Sequence, residues 1–423
     1  MMVRLPDVPA GAHLHESSYG SHLFVATATK MYRADIGVGT QAWDDVTGPA
    51  QSGANAFGQS WKFASLGDDL IAASIASPIK VFGSTAFVAA APSNIIAQAL
   101  TTSNQFALVA NYQEGAGTYL ADGWRCSQLG SPGSWTLSAA TQSVAGRLRD
   151  SPGPIVGLKG FAGDVYAFKS ASMYRGVYQG PPLVWSWQLI SSAVGAFSQE
   201  CVVEADNVLY WWAYSGCWMF DGSRPVRVPN APVAWVRGQM LAQAGLIWRG
   251  TYDAVDRVIR WYFRSTDNLG SSLDTDRCIV YHPETNRWGR DDIRSQGALS
   301  VTQFVTNRNP EIRGGVIHDQ YVKAYTGPAK ACEFTTGYYG DGERLTLLRG
   351  ARLRYVTAPS AATLQHFYRN TSGVGNQAGE VRTETNGKFD ISHEAKWHQL
   401  RITMTGGAEL RGLDLDMEAT GSR

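Results

Sequence analysis

The sequence predicts an all-β protein: a β-propeller of six to eight blades, seven fitting best, followed by a C-terminal β-sandwich-like module. Three observations predict it. The phrase Gly163-Asp164-Val165-Tyr166-Ala167-Phe168 returns in altered form as Gly67-Asp68-Asp69-Leu70-Ile71-Ala72 and as Ala205-Asp206-Asn207-Val208-Leu209-Tyr210-Trp211, each a turn followed by an apolar-polar alternation. The 45 Gly, 14 Trp, 18 Tyr and 15 Phe in 423 residues suit tight turns and pleated, half-buried surfaces. Units of this kind repeat at intervals of roughly 35 to 60 residues, the spacing of propeller blades with insertions.

The units follow one another along the chain. The first runs from Tyr19 to Gly48, with Gly20 to Ala26, Met31-Tyr32-Arg33 and Trp43 to Val46 as strands. The second spans Trp61 to Ala90 and the third Asn104 to Trp135. The fourth, Ile155 to Ile190, shows the unit most clearly: Val156 to Lys159, Asp164 to Phe168, Ser172 to Gly176 and Trp185 to Leu189. The fifth runs from Cys201 to Val228 and contains the tight-turn pair Asp221-Gly222. The sixth covers Trp248 to Trp288 and the seventh Leu299 to Tyr325. Small residues on one side of each hairpin let neighbouring sheets approach near a common axis, and aromatics fill the wider outer gap. Each buried aromatic contributes roughly 2–3 kcal/mol of transfer energy. No blade covers both its faces alone, so the ring must close or be capped. The propeller is thus expected over residues 1–330, with a helical insertion at 231–246 after Pro229-Asn230-Ala231-Pro232. Residues 331–423 form the second module, with alternating strands at Ala351 to Val356, Thr363 to Tyr368, Trp397 to Met404 and Arg411 to Glu418.

Composition excludes several function classes. A hydrophobic content of 44% and a charged content of 17% describe a folded chain. The formal net charge of +1 argues against an overall electrostatic grip on nucleic acid, while leaving room for a neutral passage through which DNA slides. Cys126, Cys201, Cys217, Cys278 and Cys332 form no CxxC pair, so zinc is not expected, and the odd count points to buried, reduced thiols and assembly in a reducing cytoplasm. Cys201 and Cys217 can lie close on paired strands, but a disulfide between them is not expected. The start Met1-Met2-Val3-Arg4-Leu5-Pro6 has no apolar signal segment, and the most apolar stretch, Leu70 to Ala91, alternates around Pro78, Lys80 and Gly83 and reads as two strands, not a membrane helix.

No reactive constellation emerges, and no catalytic, cofactor-binding or metal-binding residue is assigned. His393 and His398 stand five apart, where one helical face requires four, and the segment reads as turn and strand. Asp414, Asp416 and Glu418 share one face of a strand; three aligned carboxylates are a calcium motif in principle, but Arg352 and Arg354 offer a matching pattern and a salt-bridged face is expected. The adjacent pairs Asp44-Asp45, Asp68-Asp69 and Asp291-Asp292 point to opposite faces and suit turns. Neither a phosphate-binding GxxxxGK, nor a Rossmann fingerprint, nor a GxSxG elbow is present. Arg147, Arg149, Arg224, Arg227 and Arg237 fall in loops and strand ends, suited either to a passing DNA backbone or to acids of a neighbouring subunit.

The run from Leu158 to Val228, through Val165 to Phe168, Ser172 to Arg175, Trp185 to Ser191, Gly195 to Ser198, Asp206 to Trp211, Gly216 to Gly222 and Pro225 to Val228, resembles the tail hub (tail nozzle, or packaged-DNA stabilisation) proteins of short-tailed bacteriophages. Trp397 to Ile402, Arg411 to Asp414 and Gly421-Ser422-Arg423 look like the terminal β module of such virion proteins, whereas the first 150 residues match poorly. The resemblance implies a non-enzymatic structural subunit, about six copies of which form a ring below the portal-adaptor complex. That ring would continue the DNA channel, retain the packaged genome and pass it at infection without sequence-specific contact. Its implied partners are further copies of the chain, the portal and adaptor proteins, and tail fibres, spikes or needles. It would reside in the virion tail after assembly in the host cytoplasm, without a membrane span. The alternative reading is a propeller glycosidase or glycan-binding adhesin acting on the host surface, and a glycosidase would need two carboxylates roughly 5–10 Å apart in a central cleft.

Overall fold

The repeated phrase is the turn between the first and second strands of a sheet. Its residues take left-handed backbone: Gly67 has φ 59°, Ala162 and Gly163 have 50° and 85°, and Asp206 and Asn207 have 48° and 61°. Two consecutive left-handed residues match the right-handed twist of the strands they join, and Gly, Asn and Asp tolerate that conformation best.

The computed structural model describes residues 4–35, 42–48, 60–83, 85–240, 247–254, 256–267, 275–291, 297–299, 315–318, 320–324, 331–371 and 375–422. The chain divides into two compact units, Met1–Tyr325 and Thr326–Arg423. In the first unit the strands form consecutive antiparallel sheets, each ordered as in sequence. Blade one holds β1 (Pro9–Ser17), β2 (Gly20–Thr27), β3 (Met31–Asp35) and β4 (Asp44–Asp45). Blade two holds β5 (Lys62–Leu66), β6 (Asp69–Ser74), β7 (Ser77–Phe82) and β8 (Phe87–Ala89). Blade three holds β9 (Ile95–Ser103), β10 (Phe106–Glu114), β11 (Leu120–Cys126) and β12 (Ala145–Arg147). Blade four holds β13 (Ile155–Phe161), β14 (Asp164–Lys169), β15 (Met173–Gly180) and β16 (Val184–Ser191). A 3-10 turn, Gln199–Cys201, leads into blade five, which holds β17 (Val203–Ala205), β18 (Val208–Ala213), β19 (Gly216–Phe220) and β20 (Val226–Arg227). Helix α1 (Val233–Gln239) precedes blade six, with β21 (Trp248–Asp253), β22 (Val258–Phe263), β23 (Arg277–His282) and β24 (Arg287–Asp291). Blade seven shows β25 (Gly297–Leu299), β26 (Gly315–His318) and β27 (Tyr321–Ala324).

The first strands make the ring. β1 touches β5, β5 touches β9 and β9 touches β13; β13 touches the 3-10 turn, which touches β21; β17 also touches β21, β21 touches β25, and β25 returns to β1. The closing seam is reinforced by Leu5, whose amide donates to the Gln320 carbonyl at 2.8 Å. Leu5, Leu23, Val25 and Tyr32 bury themselves there with Ile317 of blade seven. This is a closed propeller, whose blades bury in the ring the faces that none covers alone.

Glycines set how closely the first strands approach. A Cβ on Gly11 of β1 would lie 2.6 Å from the Trp61 carbonyl oxygen, and one on Gly157 of β13 would lie 2.7 Å from the Gln199 Cα. At Gly160 it would overlap the Thr102 carbonyl oxygen, and at Gly250 of β21 the Val203 side chain. Aromatics fill the gap farther out. Between blades five and six Trp212 meets Trp248, Trp261 and Trp288 at ring-centroid distances of 5.8, 6.2 and 5.8 Å, and between blades three and four Trp124 meets Trp187 at 5.3 Å.

Several boundaries differ from the expectation. Blade one starts with β1, ahead of Tyr19, and blade three with β9, ahead of Asn104. Both strands are packed by neighbouring blades and carry small or mixed residues, such as the fully buried Ala97 and Ala99, so large apolar residues do not mark them out. Leu70 to Ala91 contains three strands, β6 to β8, rather than two. The helix expected over 231–246 is α1 alone; Met240 already pairs with Ser265 in an isolated bridge, and residues 241–246 lie outside the described residues. Of the seventh unit, residues 300–314, 319 and 325 lie outside the described residues, as does Asp292 of the Asp291-Asp292 pair.

The second unit is a two-sheet sandwich of β28 (Cys332–Thr335), β29 (Tyr339–Gly340), β30 (Arg344–Thr357), β31 (Ala361–Arg369), β32 (Gln377–Thr383), β33 (Lys388–Ala395), β34 (Trp397–Thr405) and β35 (Glu409–Ser422). One sheet runs β28-β34-β31-β32 with β29 also on β34, and the other runs β33-β30-β35. Leu348, Leu353, Phe389 and Ile391 of the second sheet meet Leu364, Leu400, Ile402 and Met404 of the first in one core.

Candidate functional site

In a closed propeller the first strands surround the axis, so their polar side chains define what the centre can do. Lys62, at the start of β5, is 8% exposed and contacts both Glu200 and Ser60. Burial, and then the charge of Arg249, push its ammonium down from the usual lysine value; the Glu200 carboxylate in contact with it opposes that drop. Gln199, beside Glu200, accepts from the Leu100 amide at 3.1 Å and donates to the Leu100 carbonyl at 2.6 Å, tying the 3-10 turn to β9. Lys159 of β13 pairs with Glu204 of β17 at 3.3 Å.

A second polar group lies on β1 and β5. The Ser65 hydroxyl stands 2.9 Å from His13 Nε2 and 2.8 Å from His15 Nδ1, while His15 Nε2 lies 3.1 Å from the Asp68 carbonyl oxygen. Desolvation, then His15, then Lys159 push His13 below the usual imidazole value. Asp253, at the end of β21, is fully buried and 3.5 Å from Arg260 Nη1. Glu200, Glu204 and Asp253 thus each stand beside a cation, an arrangement that suits a fixed electrostatic tie. The carboxyls of Asp45, Asp68, Asp221 and Asp341 are held below the usual range, mainly by hydrogen bonds.

These ties have a measurable consequence. Glu200→Gln leaves the buried Lys62 ammonium without its counter-charge. Because Glu200 itself remains 27% exposed, water offsets part of the loss, and the expected destabilisation is about 2 kcal/mol rather than the larger cost of a fully buried pair. Urea unfolding should show the drop, and Lys62→Met combined with Glu200→Gln should recover most of it.

The arginines singled out in the sequence do not share one surface. Arg147 is bound to Asp122, with Nε at 2.7 Å and Nη2 at 2.6 Å, and Arg149 lies exposed two residues on. Arg224 is exposed in the turn between β19 and β20; Arg227 covers the Trp218 ring at 5.4 Å. Arg237, on α1, donates to the Tyr214 carbonyl at 2.7 Å, at the opposite end of that sheet from Arg224. In the second unit Asp414 is 2.5 Å from Arg354 and Glu418 contacts Arg349, so that face is salt-bridged by Arg354 and Arg349. All five cysteines are free; four are buried, Cys201 and Cys217 among them, whereas Cys332 is exposed, against the expectation that all would be buried.

His393 and His398 lie on strands and join His366, which the sequence reading did not single out. His366 Nε2 stands 3.0 Å from His398 Nδ1, His398 Nε2 stands 3.0 Å from the Thr346 carbonyl oxygen, and the His393 ring lies 5.1 Å from that of His366. Among the described residues no group of three His, Cys, Asp or Glu side chains is arranged to hold a metal ion. Burial, then the neighbouring His398 and His393, lower His366 from 6.5 to about 4. Its neutral form is therefore the folded one. The stability this gives is complete above pH 6.5, where the unfolded histidine is also neutral, and is lost as pH falls from 6.5 to about 4, by on the order of 3 kcal/mol. Hydrogen exchange of β31 and β34 in the full chain should accelerate across that window, and His366→Gln should flatten the dependence.

Among the described residues no helix is long and apolar enough to cross a membrane. No family model matches the chain, and no curated protein does. Among solved structures, an exo-beta-1,3-galactanase from Phanerochaete chrysosporium aligns with 88% of this chain and 99% of its own at 9% identity and a TM-score of 0.32, a likeness too faint to carry an argument.

Proposed function

We propose that this chain is a structural subunit of a phage tail, a tail hub or nozzle, acting as a stiff building block and not as a catalyst. The observation that carries the reading is the state of the propeller axis. Lys62 of blade two reaches Glu200 in the turn before blade five, Lys159 with Glu204 joins the neighbouring blades four and five, and glycines at positions 11, 157, 160 and 250 bring the first strands into contact. A tightly packed, cross-tied ring resists local opening, as a conduit under genome pressure requires. DNA would then pass through a bore enclosed by several copies of the chain, about six, rather than through one propeller. The resemblance over Leu158 to Val228 adds the place: below the portal and adaptor proteins, with fibres or spikes attached around the ring.

The test is imaging of the purified protein with its neighbouring virion components by electron microscopy, together with sedimentation of the protein alone. Rings with an open bore, stacked on the connector, are the expected result. Monomers that hydrolyse or bind surface glycans would overturn the reading in favour of a glycosidase or an adhesin.

A further inference from the structure

We propose that the cleft between blades three and four is a binding site for a phosphate group, held by Arg149 at the rim above the buried charge of Lys169. The cleft measures about 460 Å³ and is lined by Tyr119, Asp122, Arg147, Arg149, Ser151 and Lys169 among others. Lys169, the last residue of β14, is fully buried, and its Nζ donates to the carbonyls of Leu148 and Ser151, each at 2.6 Å. An ammonium has three N–H donors, so one remains after these two. Its remaining neighbour is the Tyr174 ring, 5.6 Å away, and no carboxylate lies within ion-pair distance among the described residues.

A buried cation without a counter-ion is costly, and an anion in the cleft offsets that cost. Burial pushes the Lys169 ammonium down from its usual value, which a bound anion would reverse. Arg149 is exposed on the connection that leads from Leu148 through Pro152 and Pro154, and among the described residues it has no ion pair. Asp122 is already engaged by Arg147, so the cleft keeps an excess of positive charge even with Asp150 nearby. A guanidinium fork at the rim over a buried ammonium charge matches an oxyanion, while the Ser151 hydroxyl is bonded to Ser172 Oγ at 2.6 Å and Tyr174 Oη at 2.7 Å. The phosphate can belong to a small phosphorylated compound or to a nucleic-acid backbone. The inference does not depend on the chain being a tail subunit.

The experiment titrates the full chain with inorganic phosphate by calorimetry, and with a short DNA duplex by fluorescence anisotropy at several salt concentrations. Saturable phosphate binding in the millimolar range is expected, weakened about tenfold or more by R149E and unchanged by R227E on blade five. K169M should abolish it; since K169M also removes two buried hydrogen bonds, R149E is the deciding variant. DNA binding that phosphate competes away, with a salt slope reduced by about one in R149E, identifies a backbone phosphate as the ligand. Phosphate binding without DNA binding identifies a small phosphorylated compound. No saturable phosphate binding to the wild-type chain, or R149E binding phosphate as tightly as wild type, overturns the proposal.

Discussion

Trp261→Ala is expected to lower the unfolding free energy of the propeller by about 4 kcal/mol, within the range for removing a buried tryptophan. The Trp261 ring is fully buried, its Nε1 donates to the Cys201 carbonyl at 3.0 Å, and it stacks on Trp288 at 6.1 Å. Truncation opens a cavity between blades five and six and orphans a buried carbonyl where the 3-10 turn meets β22. The surrounding rings, Trp212, Trp248 and Trp288, are themselves wedged together, so the site collapses poorly. Trp212 provides the contrast: its own Nε1 is buried without an acceptor among the described residues, so Trp212→Phe gives up no hydrogen bond and should cost about 1 kcal/mol, less than Trp261→Phe. Urea unfolding monitored by hydrogen exchange in β21 to β24 separates these cases. Equal losses for the two Phe variants would show that ring volume alone governs the seam.

The second large effect is expected at Gly160. Its φ is not left-handed, so alanine carries no backbone strain there and would slightly favour the fold through the unfolded chain, by about 0.4–1 kcal/mol. The added methyl, however, would overlap the Thr102 carbonyl oxygen of β9, while the Gly160 amide is held to Thr101 Oγ1 at 2.8 Å. A backbone carbonyl in a closed ring has nowhere to move, so Gly160→Ala should destabilise the propeller by about 3 kcal/mol. Two controls isolate the cause. Gly163→Ala meets no atom within 4 Å but sits at φ 85°, and should cost about 1 kcal/mol; Gly133→Ala meets neither obstacle and should be near neutral. Thermal melting of the three variants orders them if close approach of first strands is what closes the ring, and a melting temperature for Gly160→Ala within a degree of wild type would contradict that.

Much of the architecture was legible in the residues. Blades two, four, five and six were readable because their turns are written in Gly, Asp and Asn and open onto apolar runs such as Val165 to Phe168 and Val208 to Trp211. The inner strands β1 and β9 were not, since their buried positions include small residues such as Ala10, Ala97 and Ala99, which mark a strand less plainly than large apolar ones. The axial site was hidden for a different reason. Lys62 and Glu200 are separated by 138 residues, and His366 lies 32 residues from His398, so only ring closure and sheet pairing bring them together. The local hint was a lysine at the end of a largely apolar strand, Lys62 at the start of β5 and Lys169 at the end of β14, where a buried cation demands a partner.

By itself, the sequence determined that the chain folds into successive antiparallel hairpins and that aromatics fill the space between them, because turn chemistry and side-chain alternation act over a few residues. Only the tertiary structure decided that the sheets close on themselves through Leu5, Gln320 and Ile317, that Glu200, Glu204 and Asp253 stand beside cations, and that Arg149 and Lys169 share one cleft. Those outcomes depend on which distant strands meet, and such meetings are set by packing volume and charge compensation across the whole ring, which no local pattern encodes.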